Sequence, residues 1–196
     1  EPAGQSEPAG QSEPAGQYKL VGVVSQPDRP AGRGRKLTPP AVKSLAEELG
    51  IPFIQPRRLR EPESMGQLRQ WDPELIVVAA FGQILRPELL ELPKYGCVNV
   101  HASLLPRWRG AAPIPAAILH GDSQTGVTIM LMDPGVDSGP MLSQRLTPIR
   151  ADETAGQLSE RLADLGGELL LESLPRYLAG ELQPQPQPQE GITHAP

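Results

Sequence analysis

The sequence predicts an α/β fold in which helices flank a mostly parallel β-sheet. Short apolar runs occur at 18–25, 51–55 and 75–80, and each is typical of a strand that is buried on both faces. Helical patterns alternate with these runs along the chain, as they do in α/β proteins. A further strand ends in two polar residues, Asn99 and His101, and open α/β sheets bind ligands at the carboxyl ends of their strands.

Composition excludes several classes of protein. The chain has 196 residues, a formal net charge of −5 and a hydrophobic fraction of 38%, which suits one domain with a core. Its single cysteine, Cys97, excludes an intramolecular disulfide and a cysteine-based zinc site, and we expect a buried, unreactive thiol. No apolar run approaches the roughly 18 residues of a membrane helix, and a secretory signal pattern is lacking. We therefore expect a cytoplasmic protein that does not enter a membrane.

The first 17 residues are a tandem repeat of the unit EPAGQS. Each copy contains proline and glycine and no large apolar side chain, so burial cannot offset the entropy of ordering. We expect this segment to be disordered.

A basic loop follows the first predicted strand. The stretch PDRPAGRGRK carries four cations against the single carboxylate of Asp28. In an acidic chain such a loop favours contact with phosphate, although a solvated loop with incidental charge is the simpler explanation. The cations are Arg29, Arg33, Arg35 and Lys36.

The next elements alternate between helix and strand. Thr38 is placed to cap a helix over 39–49, which has proline in its first turn. The strand at 51–55 precedes a helix over 61–71, and LIVVAA at 75–80 is the clearest buried parallel strand.

The candidate site begins with the stretch NVHASLLPRWRGAAPI. Its Asn99 and His101 alternate with valines, so on a strand they point to one side and the valines to the other. The loop that follows is rich in proline, glycine and arginine, which suits a loop shaped by a ligand. A hydrogen-bonded structural histidine at a strand end is the alternative explanation.

A second candidate motif is DPGVDSGP, which spans 133–140 and follows another apolar run. Its Asp137, if close to Asn99 and His101, completes an acid/base pair beside an amide donor. Ordinary turn chemistry explains Asp133 and Asp137 equally well.

The remainder of the chain completes the α/β pattern. We expect a helix over 113–120, strands over 127–133 and 141–149, and a long helix over 151–179 that Gly166 and Gly167 bend or break. Leucines on one face of the long helix predict its buried side: Leu158, Leu162, Leu165 and Leu169. QPQPQPQ at 183–189 is expected to be extended.

The two motifs resemble the folate-dependent formyltransferase family, whose catalytic core is an Asn, a His and an Asp in this order. Within the family, RWRGAAPI and SQPDRPAGRGRKLTPPAVK resemble the members that act on methionyl-tRNA. The resemblance covers about 18–196 and implies a Rossmann-like formyltransferase fold. It implies transfer of a formyl group from 10-formyltetrahydrofolate to the amine of methionyl-tRNA, without a metal ion, by a monomer.

The resemblance also implies roles for individual residues. The catalytic residues are Asn99, His101 and Asp137. The folate-binding residues are Phe81, Ile84, Leu85, Ser103, Leu104, Leu105, Pro106, Asp133 and Val136. Phe81, Ile84 and Leu85 suit the core equally well, and for Phe81 the core is the favoured role. The residues expected to contact the tRNA acceptor arm are Arg29, Arg33, Arg35 and Lys36.

The chain departs from the family pattern at both ends. Members begin with a strand, a turn and a helix that are lacking before 18–25, so the fold is N-terminally incomplete and neighbouring strands should have unpaired edges. We divide the chain into the repeat, a partial catalytic domain at 18–182, and a tail at 183–196 leading to an absent C-terminal domain. The alternatives are another folate-dependent formyltransferase, a formylfolate hydrolase, or an inactive fragment or folate- or RNA-binding remnant of the tRNA enzyme.

Overall fold

The computed structural model describes residues 18–31 and 36–196, so the predicted disorder of the repeat lies outside the described residues. The strands are β1 Val23–Val24, β2 Arg29–Ala31, β3 Lys36–Thr38, β4 Phe53–Ile54, β5 Ile76–Val78, β6 Cys97–His101, β7 Gln124–Leu131 and β8 Met141–Pro148. The helices are α1 Ala41–Glu48, α2 Pro62–Trp71, α3 Pro87–Leu90, α4 Pro113–Leu119 and α5 Ala155–Leu178. Strands and helices alternate through most of the chain, which confirms the predicted α/β class.

The sheet is mixed, which corrects the prediction of a mostly parallel one. The main sheet has the order β5-β6-β7-β8, in which β5 and β6 are parallel and the two later pairings are antiparallel. β1 and β4 form a separate parallel pair, and β2 and β3 form an antiparallel hairpin. Only the loop that carries Asp137 connects β7 to β8, and a connection without a crossover helix returns the chain antiparallel.

Helices cover both faces of the main sheet. On one face α5 packs its leucines, including Leu158, Leu162 and Leu169, against Val98 and Ile129. On the other face α2 and α3 pack around Cys97 in a second apolar cluster. Burial raises the pKa of the Cys97 thiol to about 12, so the thiol stays protonated and unreactive at neutral pH.

The strands β1 and β5 have edges that lack hydrogen-bonded neighbours within the described residues. β1 pairs only with β4, and β5 pairs only with β6, so each presents one open edge. Val77 of β5 and Leu20 just before β1 are 43% and 63% exposed. Gln26 Nε2, after β1, donates to the carbonyl oxygen of Phe81, after β5, at 2.6 Å and links the two units. The unpaired edges agree with the sequence expectation.

Two local predictions differ from the structure, and one short helix was not predicted. Thr38 does not cap α1, because Pro40 forces Pro39 out of the helical region and the helix begins at Ala41. The α5 helix is continuous through Gly166 and Gly167. Leucine and proline residues after Arg86 form the short helix α3, which the sequence did not predict. Among the described residues, none of the helices is both long and apolar enough to span a membrane.

Candidate active site

Alternate residues of strand β6 face opposite sides of the sheet. Val98 and Val100 belong to the cluster under α5, and Cys97 belongs to the cluster on the opposite face. The alternation therefore turns Asn99 and His101 to the side of Cys97, away from α5, as the sequence predicts. His101 is buried and Asn99 is half-buried.

The loop between β7 and β8 brings Asp137 to both residues. Asp137 Oδ1 accepts a hydrogen bond from Asn99 Nδ2 at 3.3 Å, and Asp137 Oδ2 lies 3.6 Å from His101 Nδ1. Asp137 Oδ2 also accepts from the backbone N–H of Gly110 at 2.9 Å. One carboxylate thus connects two side chains of β6 with the loop that follows it.

The partners of His101 identify which ring nitrogen carries hydrogen. Nε2 lies 2.9 Å from the carbonyl oxygen of Trp108, which can only accept, so Nε2 donates. Nδ1 faces the carboxylate of Asp137. In the neutral ring Nδ1 can take up a proton, and in the charged ring both nitrogens have acceptors.

The loop after β6 is fixed by a partly exposed ion pair between Arg107 and Asp122. Arg107 donates through Nε to Asp122 at 2.8 Å, and Trp108 Nε1 donates to the same carboxylate at 2.7 Å. These contacts, led by the Arg107 hydrogen bond, lower the pKa of the Asp122 carboxyl. They hold Trp108, and with it the carbonyl that accepts from His101, in place.

The C-terminal tail crosses the same loop. The backbone N–H of Trp108 donates to Thr193 Oγ1 at 2.9 Å, and Arg109 pairs with the backbone on both sides of His194. A Cβ on Gly110 would lie 2.3 Å from the carbonyl oxygen of Ala195, so the close approach requires glycine. The predicted tail therefore packs against the site through some of its residues, and the side chain of His194 is exposed.

The Ser-Leu-Leu-Pro loop is anchored inside the protein. Ser103 and Leu105 are buried, and Thr128 Oγ1 donates to the Ser103 carbonyl and accepts from the Leu105 N–H. Leu104 and Pro106 are half-buried. The structure thus gives two of the predicted folate-binding residues, Ser103 and Leu105, contacts within the protein.

The other predicted folate-binding residues fall into two groups. Leu85 is buried and Phe81 packs against the same apolar cluster, as expected for core residues. Ile84 and Val136 are 88% and 64% exposed on the loops that follow β5 and β7, the neighbours of β6. Asp133 accepts from Gly135 and Ser138 and so stabilises the turn that carries Asp137.

The predicted tRNA-binding cations lie around the hairpin of β2 and β3. Arg29 and Lys36 are exposed on its two strands. Arg29 donates to Gln26 Oε1 at 3.0 Å. Arg33 and Arg35 lie outside the described residues.

Three contributors to the site were not predicted from sequence: the carbonyl of Trp108, the N–H of Gly110 and the side chain of Gln187. The first two are backbone groups, which carry no residue-type signal. Gln187 lies in an alternating Gln-Pro run whose four glutamines are equivalent in sequence. A cavity of about 350 Å³ opens beside Gln187 and is also lined by Arg109 and Ser138.

The chain is similar to curated methionyl-tRNA formyltransferases over most of its length. The chain is 60% identical over 175 residues to a methionyl-tRNA formyltransferase of Halorhodospira halophila, covering 89% of this chain and 56% of that protein. It is 56% identical over 177 residues to a methionyl-tRNA formyltransferase of Myxococcus xanthus, covering 90% and 57%. The chain spans about half the length of these curated relatives.

Solved structures share the fold. The formyltransferase PseJ from Anoxybacillus kamchatkensis, determined with a sugar nucleotide and tetrahydrofolate, matches with a TM-score of 0.64 and 25% identity over 89% of this chain and 85% of that one. A phosphoribosylglycinamide formyltransferase from Bacillus halodurans matches with a TM-score of 0.70 and 24% identity over 83% and 82%, and supports the fold alone.

The family assignment rests on a match over most of the chain. The family described as Formyl transferase matches residues 8–174, a span that includes β6, the Asp137 loop and most of α5. The Rossmann-like α/β fold of the solved formyltransferases agrees with this match. The chain belongs to the formyl transferase family.

Proposed function

We propose that the protein transfers a formyl group from 10-formyltetrahydrofolate to the α-amino group of methionyl-tRNA. The observation that carries this proposal is the cluster in which Asp137 contacts Asn99 and faces His101 at the ends of adjacent strands. The identity of the chain to two methionyl-tRNA formyltransferases supports this choice of acceptor.

Asn99 is suited to stabilise charge on the formyl oxygen. When an amine attacks the formyl carbon, negative charge develops on that oxygen, and a donor that is already in place lowers the barrier. The Nδ2 group of Asn99 has two hydrogens, and the contact with Asp137 uses one of them. The second is available to the oxygen, and a protonated His101 adds positive charge nearby.

Asp137 and His101 together are suited to move a proton. Formation of the new C–N bond and cleavage of the C–N bond to the folate require one proton to pass from the attacking amine to the leaving nitrogen. His101 Nδ1 and Asp137 Oδ2, 3.6 Å apart, can hold that proton in turn. The bond from Nε2 to the Trp108 carbonyl keeps Nδ1 directed at the carboxylate.

The residues around this cluster fit a folate. Ile84 and Val136 present exposed apolar surface on the loops that flank β6, which suits the flat ring of a pterin. We propose that these two residues, with Leu104 and Pro106 at the edge of the next loop, form the folate subsite. Asp133 contributes indirectly, because it stabilises the turn that carries Val136.

The exposed cations suit the acceptor arm of tRNA. Arg29 and Lys36 lie on the β2–β3 hairpin, and Arg33 and Arg35 belong to the same basic stretch of sequence. Such cations favour a phosphate backbone without reading its sequence. We propose that 18–182 is the catalytic domain and that it acts as a monomer in the cytoplasm.

His101→Ala is the variant that tests the proposal. Loss of a positioned acid/base group lowers turnover by about 10²–10⁴-fold, so kcat for formyl transfer to methionyl-tRNA should fall by that factor. The variant should still bind a 10-formylfolate analogue, and titration measures this binding. His194→Ala is the matched control, because its side chain is exposed, and its kcat should equal that of the unchanged chain. Equal kcat in the His101→Ala variant would remove His101 from the mechanism.

A further inference from the structure

Gln187 is the one buried glutamine of the QPQPQPQ run. It is 6% exposed, whereas Gln183, Gln185 and Gln189 are exposed. Prolines on either side restrict the backbone to extended conformations, so successive glutamines are presented in different directions. Only this glutamine faces the site.

The Gln187 amide uses its full hydrogen-bonding capacity. Its Oε1 accepts from Arg109 Nε at 3.0 Å and from a terminal nitrogen of Arg109 at 2.7 Å. Its Nε2 donates to the carbonyl oxygens of Asp137 and Gly139, each at 2.8 Å. An amide offers two donors and two lone pairs at its oxygen, and all four are satisfied here.

These four bonds join the two loops that form the site. Arg109 belongs to the loop after β6, next to the Gly110 N–H that donates to Asp137 Oδ2. Asp137 and Gly139 belong to the loop between β7 and β8. The position of the Asp137 carboxylate relative to His101 therefore depends on a side chain from the tail.

The Asp137 backbone needs such support. Asp137 has φ of +47°, a left-handed conformation that is uncommon for residues other than glycine. Residues in this region persist where surrounding contacts fix them. The Gln187 donors fix the carbonyls on both sides of Ser138 and so hold the loop in this conformation.

We propose that Gln187 is a positioning residue for formyl transfer, which acts by fixing the Asp137 loop against Arg109. This inference rests on the proposed function for its kinetic consequence, but the positioning itself does not depend on the reaction. A displacement of about 1 Å in a catalytic group can cost about 10²-fold in rate. Loss of the Gln187 amide should therefore lower kcat by about 10- to 100-fold and leave both KM values within about twofold.

The test compares three variants of the full chain. Gln187→Met keeps the length of the side chain and removes all four hydrogen bonds. Gln187→Glu keeps the acceptor for Arg109 and loses both donors, so it should remain folded and still lose turnover. Gln185→Met is the control, because that side chain is exposed and should leave kcat unchanged.

A double-mutant cycle separates positioning from general stabilisation. If Gln187 acts through Asp137, Gln187→Met should cost less than twofold in kcat when Asp137 is already alanine. A loss of kcat that is equal in the two backgrounds would overturn the proposal.

Hydrogen–deuterium exchange tests the positioning without catalysis. The Gly110 amide donates to Asp137, so Gln187→Met should speed its exchange several-fold, while Gln185→Met should not. Unchanged exchange of Gly110 in the Gln187→Met variant would overturn the proposal. If the unchanged chain transfers no formyl group, the proposed function fails, and exchange alone decides the role of Gln187.

Discussion

At the residue scale, the Asp137 carboxylate contacts two side chains of β6 and one backbone N–H of the loop that follows it. Oδ1 meets the Asn99 amide, and Oδ2 meets both the Gly110 N–H and His101 Nδ1. Because His101 Nε2 also donates to the Trp108 carbonyl, these contacts hold the imidazole with Nδ1 facing the carboxylate.

The carboxylate of Glu153, away from the site, should make the free energy of unfolding depend on pH. Arg161 donates to both Glu153 oxygens, at 2.9 and 2.8 Å, and these bonds are the main cause that lowers the pKa of the Glu153 carboxyl to about 2. A carboxyl whose pKa is lower in the folded state stabilises that state above its unfolded pKa and loses this effect as pH falls through the folded value. The contribution should therefore be complete above about pH 5 and lost as the pH falls towards 2.

Glu153→Gln tests this dependence. The variant should be less stable than the unchanged chain at pH 7, and the difference in free energy of unfolding, measured by urea titration, should shrink as the pH falls towards 2. Glu160→Gln is the control, because Glu160 is exposed and makes no ion pair with other described residues. A difference that stays constant with pH would contradict the assignment.

The sequence predicted the residues of the site whose position follows from periodicity. Asn99 and His101 alternate with valines, and a strand turns alternate residues to one face. Gln187 could not be predicted, because the sequence makes it equivalent to three neighbours and only the path of the tail distinguishes it. The expectation that 183–189 is simply extended therefore missed its contact with the site.

At the element scale, α5 shows how two adjacent glycines can differ. A Cβ on Gly166 would lie 2.8 Å from Val100 Cγ1, whereas a Cβ on Gly167 would meet nothing within 4 Å. Gly166 therefore permits α5 to lie close against β6, the strand that carries Asn99 and His101. Glycine was expected to bend or break this helix, but packing against the sheet and a capping box at Thr154 keep it continuous.

Alanine at each of the two positions tests this difference. Gly166→Ala should lower the free energy of unfolding by about 1–3 kcal/mol, because the added methyl overpacks the core. Gly167→Ala should raise it by about 0.4–1 kcal/mol, because alanine restricts the unfolded chain and meets open space in the folded one. Thermal or urea unfolding measures both, and equal effects of the two substitutions would contradict the packing.

Two other elements differ from prediction for local reasons. Thr38 precedes two prolines, and the second proline holds the first outside the helical region, so α1 starts too late to be capped by Thr38. The β7–β8 hairpin is antiparallel because a loop, and no helix, connects its strands. Apolar runs alone predicted that strands exist but not the direction in which they pair.

At the scale of the whole molecule, the strands form one separate parallel pair, one antiparallel hairpin and one mixed four-stranded sheet. β1 and β5 each have one unpaired edge within the described residues, and both contribute to the apolar cluster around Cys97. The Asn99, His101 and Asp137 cluster lies in the four-stranded sheet, whose pairings are complete from β5 to β8. The proposed active site therefore depends on the four-stranded sheet and not on the strand pairs outside it.

The C-terminal tail contacts two loops that are distant from it in sequence. Gln187, Thr193 and Ala195 connect residues near the C-terminus to the loops after β6 and β7. Long-range contacts of this kind are not encoded in a local pattern. The sequence therefore predicted the α/β class and the proximity of Asn99, His101 and Asp137, but not the contacts that the tail makes with them.

The most direct measurement of the central claim is formyl transfer by the unchanged chain to two acceptors in parallel. Each reaction contains 10-formyltetrahydrofolate with a labelled formyl group, and either methionyl-tRNA or glycinamide ribonucleotide. The account predicts label on methionyl-tRNA alone, and loss of that label in the His101→Ala variant. Label on glycinamide ribonucleotide alone, or transfer to methionyl-tRNA that persists without His101, would contradict it.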